Sequence, residues 1–202
     1  MDRIRVSAAL PHPQGRLLGI TGPPGAGKST FAAAVARAYG GVVVPMDGFH
    51  LPQDELERRG LRDRMGAPET FDAEGYAQLL ARIARREEGV LAPAFDRTIE
   101  APVDGAIAVP ASGLVVTEGN YLLLDEPRWR AVREQLDEVW HVQSDEKMRL
   151  ERLVARHVEF GKTPSEARAW VERVDQPNAL LVEAAADRAD LVLDLSDWVA
   201  GP

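Results

Sequence analysis

Five short runs of apolar and β-branched residues recur along the chain, separated by longer segments of mixed polarity. A run that is apolar at nearly every position is typical of a strand buried on both faces of a parallel sheet. We therefore predict strands at residues 17–21, 42–46, 114–118, 138–142 and 191–195.

The segments between these runs place apolar residues at helical spacing, and residues that begin or end helices flank them. Asp72 is a candidate N-cap, and Gly40, Gly89 and Gly161 are candidate C-terminal stops. Alternating strands and helices predict an α/β fold of three layers, with a five-stranded, mostly parallel sheet between two layers of helices. The predicted helices cover residues 28–39, 73–88, 145–160, 164–173 and 177–189.

Residues 90–112 interrupt this alternation. They contain Pro93, Pro102 and Pro110, which favour irregular or short β structure over a buried strand. We expect this segment to be an excursion from the main sheet on the substrate side.

The first predicted strand leads directly into GPPGAGKST, which has the GxxxxGK[ST] spacing of a P-loop. Its glycines let backbone N–H groups approach phosphate oxygens, and Lys28 adds a positive charge. The helix that begins near Lys28 directs its positive end to the same place, and the Ser29 hydroxyl is positioned to bind Mg²⁺. The predicted nucleotide-binding residues are Gly22, Pro23, Pro24, Gly25, Ala26, Gly27, Lys28, Ser29 and Thr30.

The 202 residues are 45% hydrophobic, which is enough for one core, and no linker-like stretch divides them. We expect a single domain over residues 1–202, in which residues 1–15 form a leader. Because the chain has no cysteine and its four histidines lack metal-ligand spacing, the predicted metal is Mg²⁺ carried by the nucleotide.

The net charge of −8 argues against nucleic acid or an anionic membrane as a partner. The N-terminal segment has no apolar run like a signal-peptide core, and no apolar stretch reaches membrane-spanning length. We expect a cytoplasmic protein.

Two acidic residues follow predicted strands at the sheet edge where ligands of open α/β sheets bind. Asp47 comes after the second strand and could accept a proton from an attacking hydroxyl or orient it. Glu118 ends the third strand and could order Mg²⁺ opposite Ser29. The alternatives are a turn residue before Gly48 for Asp47 and a solvated strand end for Glu118.

Five motifs, GPPGAGKST, MDGFHL, RMGAPETFD, PAFDRTIE and VVTEGNYLLLD, follow one another in this order. Together they resemble the P-loop kinases of the phosphoribulokinase, uridine kinase and bacterial pantothenate kinase group, over about residues 17–195. Within that group the chain is most similar to small bacterial proteins described as nucleoside or nucleotide kinase-like, or as fructose-transport-system kinases. The resemblance implies a P-loop NTPase fold that transfers a phosphoryl group from ATP, with Mg²⁺, to a hydroxyl of a small metabolite.

The same resemblance implies that Asp47 is the catalytic carboxylate and that Glu118 is the acidic residue of the group's EG motif. It also makes His50 of MDGFHL and Tyr121 of EGNYLLLD candidate acceptor contacts.

PAFDRTIE resembles the PVYDF segment of uridine kinase, with two departures: Phe95 stands where that motif has Tyr, and Glu100 where a histidine is expected. These departures argue against nucleoside specificity. Asp96, Arg97 and Glu100 are further candidate acceptor contacts, with a surface ion pair as the alternative for Asp96 and Arg97.

The segment EKMRLERLVARHVEFGK places Arg149, Arg152 and Arg156 on one helix face and resembles the group's lid, over about residues 145–165. Such guanidinium groups would stabilise the transferring phosphoryl and exclude water. We favour Arg152 and Arg156, with Lys28, as catalytic residues, against a solvated face with ion pairs.

Two further residues, His157 and Asn178, are not assigned to the site. His157 is taken as packing. Asn178, in VDQPNALLV, either approaches the nucleotide or simply belongs to a helix start at Pro177, and the helix start is favoured.

The sequence thus predicts a small-molecule kinase whose acceptor is a sugar, a pantothenate-like compound or a nucleoside. The alternative is a nucleotide-binding regulator or NTPase switch without a small-molecule acceptor. A guanine-reading NKxD motif is absent from the sequence, which argues against a GTPase. A homodimer is left open: Trp129, Trp170 or Trp198 would mark an interface if exposed, but burial of these tryptophans in the core is favoured.

Overall fold

A computed structural model describes residues 3–6, 10–96, 98–99 and 101–201. Its centre is a six-stranded sheet with the order β1-β8-β7-β2-β6-β3, in which every neighbouring pair is parallel. The α/β fold and the mostly parallel sheet are therefore as predicted. The strands are β1 (Arg3–Arg5), β2 (Leu17–Thr21), β3 (Val42–Pro45), β6 (Val115–Glu118), β7 (Glu138–Gln143) and β8 (Leu191–Asp194).

Two further strands, β4 (Val90–Asp96) and β5 (Ala101–Val109), form a separate antiparallel pair, which is the form that the predicted excursion takes. The register of this hairpin shifts between Ala92 and Ala94, at Pro93. Proline is tolerated at such an irregularity, because the hydrogen-bond ladder is already interrupted there.

The described residues contain seven α-helices. They are α1 (Lys28–Tyr39), α2 (Gln53–Arg58), α3 (Ala73–Ala84), α4 (Pro127–Arg133), α5 (Glu146–Glu159), α6 (Pro164–Trp170) and α7 (Gln176–Ala184). Of these, α1, α3, α4 and α7 contribute side chains to the cores on the main sheet.

Alternate residues of the strands pack into two cores on opposite faces of the sheet. Leu18 and Val116 share one core with Phe31 of α1. On the other face, Leu17 and Val115 share a core with side chains of three helices, which are Leu80 of α3, Trp129 of α4 and Val182 of α7.

One correction concerns the N-terminal segment. Residues 3–5, assigned to a leader by the sequence, form the edge strand β1 paired with β8, so the sheet has six strands and not five. The segment escapes sequence prediction because all three residues, Arg3, Ile4 and Arg5, are exposed. Such a strand depends on backbone pairing and not on an apolar pattern.

The helix predicted at 73–88 ends early, at Ala84. Arg86 takes a left-handed conformation with φ 58°, and the N–H of Glu87 donates to the carbonyl of Arg82 at 3.1 Å. This geometry closes the helix before Gly89, as glycine usually does. The short helices α2 and α4 were not predicted.

The last part of the fold contains an irregular turn between α6 and α7. Thr163 and Glu166 form a capping box that begins α6. After Trp170 the chain continues through a π-helical turn, Val171–Asp175, directly into α7. The predicted helices at 164–173 and 177–189 are therefore joined.

Candidate active site

The phosphate loop, residues 22–30, connects the central strand β2 to α1. Gly22, Gly25 and Gly27 have φ angles of 155°, 81° and 94°, so the loop takes the conformation that its motif predicts. At Gly25 a Cβ would lie 2.8 Å from the carbonyl oxygen of Arg149 in α5. The loop is thus packed directly against α5.

Lys28 lies under this loop and is only 9% exposed. Its Nζ donates a hydrogen bond to the carbonyl of Pro23 at 3.1 Å. Burial lowers the pKa of Lys28 to about 8; the carboxylates of Glu118 and Asp47 oppose this effect, and the guanidinium of Arg156 adds to it. The ammonium group is therefore poised for a ligand that supplies negative charge.

Ser29 and Glu118 meet at the carboxyl end of β6. The Ser29 hydroxyl donates to Oε1 of Glu118 at 3.0 Å, and Glu118 is only 7% exposed. A hydroxyl and a carboxylate are oxygen ligands of the kind that Mg²⁺ prefers, and Mg²⁺ usually keeps its other positions for water and nucleotide phosphates. The residues present therefore fit a nucleotide-borne Mg²⁺. Among the described residues, no three histidines or acidic residues cluster as an independent metal site.

Asp47 lies in a tight helical turn, Met46–Phe49, that directly follows β3. Its backbone carbonyl is 2.9 Å from Nδ1 of His50. Gly48 permits this turn to pack on the β4–β5 hairpin, because a Cβ there would lie 2.4 Å from the carbonyl oxygen of Pro93. Asp47 is thus both a turn residue and a residue of the cavity wall.

All these groups face one cavity of about 590 Å³. It runs from the phosphate loop to a wall formed by the hairpin, the loop at 62–66, and the segment from the end of α5 to α7. The lining residues are Pro24, Gly25, Lys28, Ser29, Asp47, His50, Arg62, Asp63, Met65, Gly66, Phe71, Phe95, Glu118, Gly119, Asn120, Arg156, His157, Phe160, Lys162, Trp170, Asp175 and Asn178.

The three arginines of α5 have different environments. Arg149 is 2% exposed and donates to the Pro24 carbonyl at 3.3 Å and to Oε1 of Gln176 at 2.5 Å. Arg152 is exposed, and its Nη1 lies 3.9 Å from where a Cβ on Gly27 would be. Arg156 lines the cavity. Arg156 therefore lies in the cavity wall and Arg152 lies outside it near Gly27, whereas Arg149 is bonded to the phosphate loop.

Two of the predicted acceptor contacts lie elsewhere. Tyr121 is 1% exposed, its hydroxyl donates to the carbonyl of Gly66 at 2.5 Å, and its ring packs on Phe71 and Trp129. Asp96 caps the hairpin turn by accepting two hydrogen bonds from Thr98 at 2.8 and 2.6 Å.

Tyr121 therefore supports the cavity wall from behind, because its side chain is buried in the core and holds the Gly66 carbonyl. The pKa of the Asp96 carboxyl is lowered by its bonds to Thr98, so that residue is engaged in the turn. Arg97 and Glu100 lie outside the described residues.

His50 does line the cavity, and so does Phe95, the residue that replaces Tyr in the hairpin motif. Their ring centroids are 4.8 Å apart, and the His50 ring is 4.0 Å from that of Phe71. This part of the cavity has an aromatic wall.

Several residues of the cavity were not predicted from the sequence. Arg62 and Asp63 come from a short turn after α2, and Lys162 and Trp170 flank α6. The Lys162 Nζ lies 4.6 Å from the centroid of the Trp170 ring. Lys162 ends the quoted lid segment, but no motif marks Arg62, Asp63 or Trp170, which reach the cavity only through tertiary packing.

His157 and Asn178 were named but assigned to other roles. The imidazole of His157 lines the cavity and lies 2.7 Å from Oδ2 of Asp175. Asn178 belongs to the first turn of α7, as favoured, but it also lines the cavity and donates to the Gly66 carbonyl at 3.3 Å.

The chain was compared with known proteins. It is 35% identical to a protein of Schizosaccharomyces pombe named as a putative uridine kinase, over 94% of this chain and 87% of that protein. A pantothenate kinase of Limosilactobacillus reuteri subsp. reuteri is 28% identical over 64% of this chain and 45% of its own length. No protein-family model matches the chain.

Among solved structures, a putative fructose transport system kinase from Silicibacter sp. TM1040 superposes with a TM-score of 0.79. It is 40% identical, and the match covers 91% of this chain and 92% of that one. Within the described residues, no helix has both the length and the apolar character needed to span a membrane.

Proposed function

The chain belongs to the P-loop kinases that include uridine kinase and bacterial pantothenate kinase, and we propose that it transfers the γ-phosphoryl of ATP to a hydroxyl of a small polar metabolite. It is a small-molecule kinase that uses ATP. The proposal concerns which residues act and what the acceptor is. The names of the relatives point to different acceptors, so the acceptor has to be argued from the cavity.

The observation that carries the proposal is that one cavity holds Lys28, Ser29 and Asp47 together. The first two belong to the phosphate loop after β2, and the third directly follows β3. In the sheet, β6 lies between β2 and β3. It therefore separates the phosphate loop after β2 from Asp47 after β3, where we place the acceptor hydroxyl.

In the proposed reaction, the phosphate loop and Lys28 hold the triphosphate, and Asp47 orients the acceptor hydroxyl. The hydroxyl oxygen bonds to the γ-phosphorus while the bond from that phosphorus to the β,γ-bridging oxygen breaks, and Asp47 takes the hydroxyl proton. Arg152 and Arg156 would stabilise charge on the transferring group. Mg²⁺ bound through Ser29 and Glu118 would neutralise the phosphate oxygens.

The cavity favours a polar acceptor with a small ring or apolar portion. Asp63, Asp175 and Asn178 offer hydrogen-bonding atoms, while the His50, Phe71 and Phe95 rings offer an aromatic surface. Sugars, pantothenate-like compounds and nucleosides all meet this description.

The test is ADP release from ATP and Mg²⁺ with D-fructose, pantothenate, uridine and cytidine as acceptors. We expect one of them to stimulate turnover and Asp47→Asn to lower kcat at least about 100-fold, as for the loss of a positioned base. Asp54→Asn is the matched control, because Asp54 is exposed on α2 and does not line the cavity.

Unchanged acceptor-dependent turnover in Asp47→Asn would refute the assignment of Asp47. Tight ATP binding without stimulation by any acceptor would instead favour a nucleotide-binding regulator.

A further inference from the structure

A histidine–aspartate pair forms part of the cavity wall opposite the phosphate loop. Nε2 of His157 lies 2.7 Å from Oδ2 of Asp175, and the two side chains are 17% and 10% exposed. His157 belongs to α5 and directly follows Arg156, whereas Asp175 comes from the π-helical turn. The pair therefore joins two elements at the cavity.

The π-helical turn is what brings Asp175 to this position. One turn of π-helix holds about one residue more than a turn of α-helix, so the residues after it are rotated by roughly 100° relative to a continuous α-helix. Without the extra residue, Asp175 and Asn178 would face other directions. Such turns are uncommon and often occur at functional sites.

The second ring nitrogen of His157 has a different environment. The hydrogen bond to Asp175 occupies Nε2, and no described residue forms a hydrogen bond or ion pair with Nδ1. His157 lines the cavity, and Nδ1 is the ring nitrogen that Asp175 leaves available to a ligand there.

The chemistry of the pair defines what Nδ1 can bind. An aspartate carboxylate only accepts hydrogen bonds, so the ring carries its proton on Nε2 and donates it to Asp175. In that tautomer Nδ1 has a free lone pair and is itself an acceptor. The neutral ring therefore pairs at Nδ1 with a group that donates, as a hydroxyl or an N–H does.

We infer that His157 recognises a hydroxyl or N–H group of the acceptor molecule through Nδ1, and that Asp175 is the positioning residue that fixes the tautomer and orientation of the ring. This inference rests on the proposed kinase function and deepens it. It assigns a neutral, hydrogen-bond-donating portion of the acceptor to the α5 side of the cavity, in addition to the reacting hydroxyl at Asp47.

The alternative is that the pair only ties α5 to the π-helical turn. Four variants separate the two roles. His157→Phe keeps an aromatic ring beside Trp170, whose centroid is 6.2 Å away, but removes both nitrogens. His157→Asn keeps a polar atom at the position of Nδ1 and loses the contact with Asp175. Asp175→Asn weakens the control of the tautomer, and Glu159→Gln is an exposed control on the same helix.

The experiment measures KM for the acceptor and for ATP in each variant, using whichever of D-fructose, pantothenate, uridine and cytidine gives the strongest ADP release with the wild type. For His157→Phe we expect the acceptor KM to rise about tenfold, the usual effect of one lost hydrogen bond, and the ATP KM to stay within about twofold. His157→Asn should recover most of the loss, and Asp175→Asn should lie between wild type and His157→Phe.

The inference is overturned if the acceptor KM is unchanged in His157→Phe, or if the acceptor and ATP KM values rise together in His157→Phe and His157→Asn alike. Either result would mean that the pair is structural. If the wild type itself shows no acceptor-dependent ADP release, the proposed function fails and the inference falls with it. The response of the wild type therefore separates the two failures.

Discussion

The buried Lys28 makes ATP binding depend on pH in a range where few other groups titrate. Burial lowers the pKa of Lys28 to about 8 in the protein without nucleotide. Bound phosphates favour the ammonium form, so binding takes up a proton whenever Lys28 is neutral beforehand. ATP affinity must then fall as the pH rises through about 8.

The magnitude follows from the protonated fraction of Lys28 in the free protein. With a pKa of about 8, this fraction is about 0.9 at pH 7 and about 0.1 at pH 9. If the bound form keeps its proton throughout this range, the Kd for ATP rises about tenfold from pH 7 to pH 9, or about 1.4 kcal/mol.

The assay is isothermal titration of ATP with saturating Mg²⁺ at several pH values, in two buffers of different ionisation enthalpy. At pH 8 the buffer dependence should report an uptake of about half a proton. Lys28→Arg is the control, since a guanidinium stays charged up to pH 9, and its Kd should be weaker but flat. A flat wild-type profile would refute the reasoning, because it would mean that burial does not govern the titration of Lys28.

The same shift has a consequence for stability. The folded-state pKa lies below the ordinary value of 10.5, so between about pH 8 and 10.5 the unfolded chain binds more protons than the folded one. The free energy of unfolding therefore gains about 2 kcal/mol from this group between pH 8 and pH 10. Denaturant titrations should show this gain in the wild type relative to Lys28→Met.

Two other substitutions test the phosphate loop and the metal position. Gly25→Ala should raise the Kd for ATP at least about tenfold, because the new Cβ would collide with the Arg149 carbonyl 2.8 Å away at a position with φ 81°. Gly40→Ala has a similar φ of 65° but open space around it, so its ATP affinity should not change; equal losses in both variants would contradict the collision argument. Glu118→Gln should raise the Mg²⁺ concentration for half-maximal turnover about tenfold while leaving the fold intact, measured by Mg²⁺ titration and thermal melting. An unchanged Mg²⁺ requirement would remove Glu118 from the proposed metal position.

The parts of the fold that sequence predicted are those specified by local pattern. The run at 17–21 is largely apolar and becomes the fully buried β2, and Lys28–Tyr39 forms the predicted helix α1 without change. β1 could not be found this way, because its residues are polar or exposed and only pairing with β8 makes it a strand. The end of α3 was missed because Arg86, and not a glycine, takes the left-handed position.

The same distinction holds for the candidate site. The phosphate loop is continuous in sequence, so its spacing alone identified it. The cavity wall opposite the phosphate loop combines residues far apart in the chain, such as Arg62, His157 and Asp175. The π-helical turn that directs Asp175 has no sequence signal of its own, since its residues also fit an ordinary helix. Tertiary packing decides such positions.

The hydrogen bonds of Arg149 limit how α5 can move. Its guanidinium joins the Pro24 carbonyl to the side chain of Gln176, so the beginning of α5 is connected at once to the phosphate loop and to the first residue of α7. α5 cannot rotate freely about its first turn without breaking these bonds. A hinge for any opening of the cavity therefore has to lie farther along α5, beyond Arg149, or else α5 and α7 have to travel as one rigid unit. In hydrogen-exchange terms, the amides around Arg149 would then be protected together with those at the start of α7, whatever the far end of α5 does.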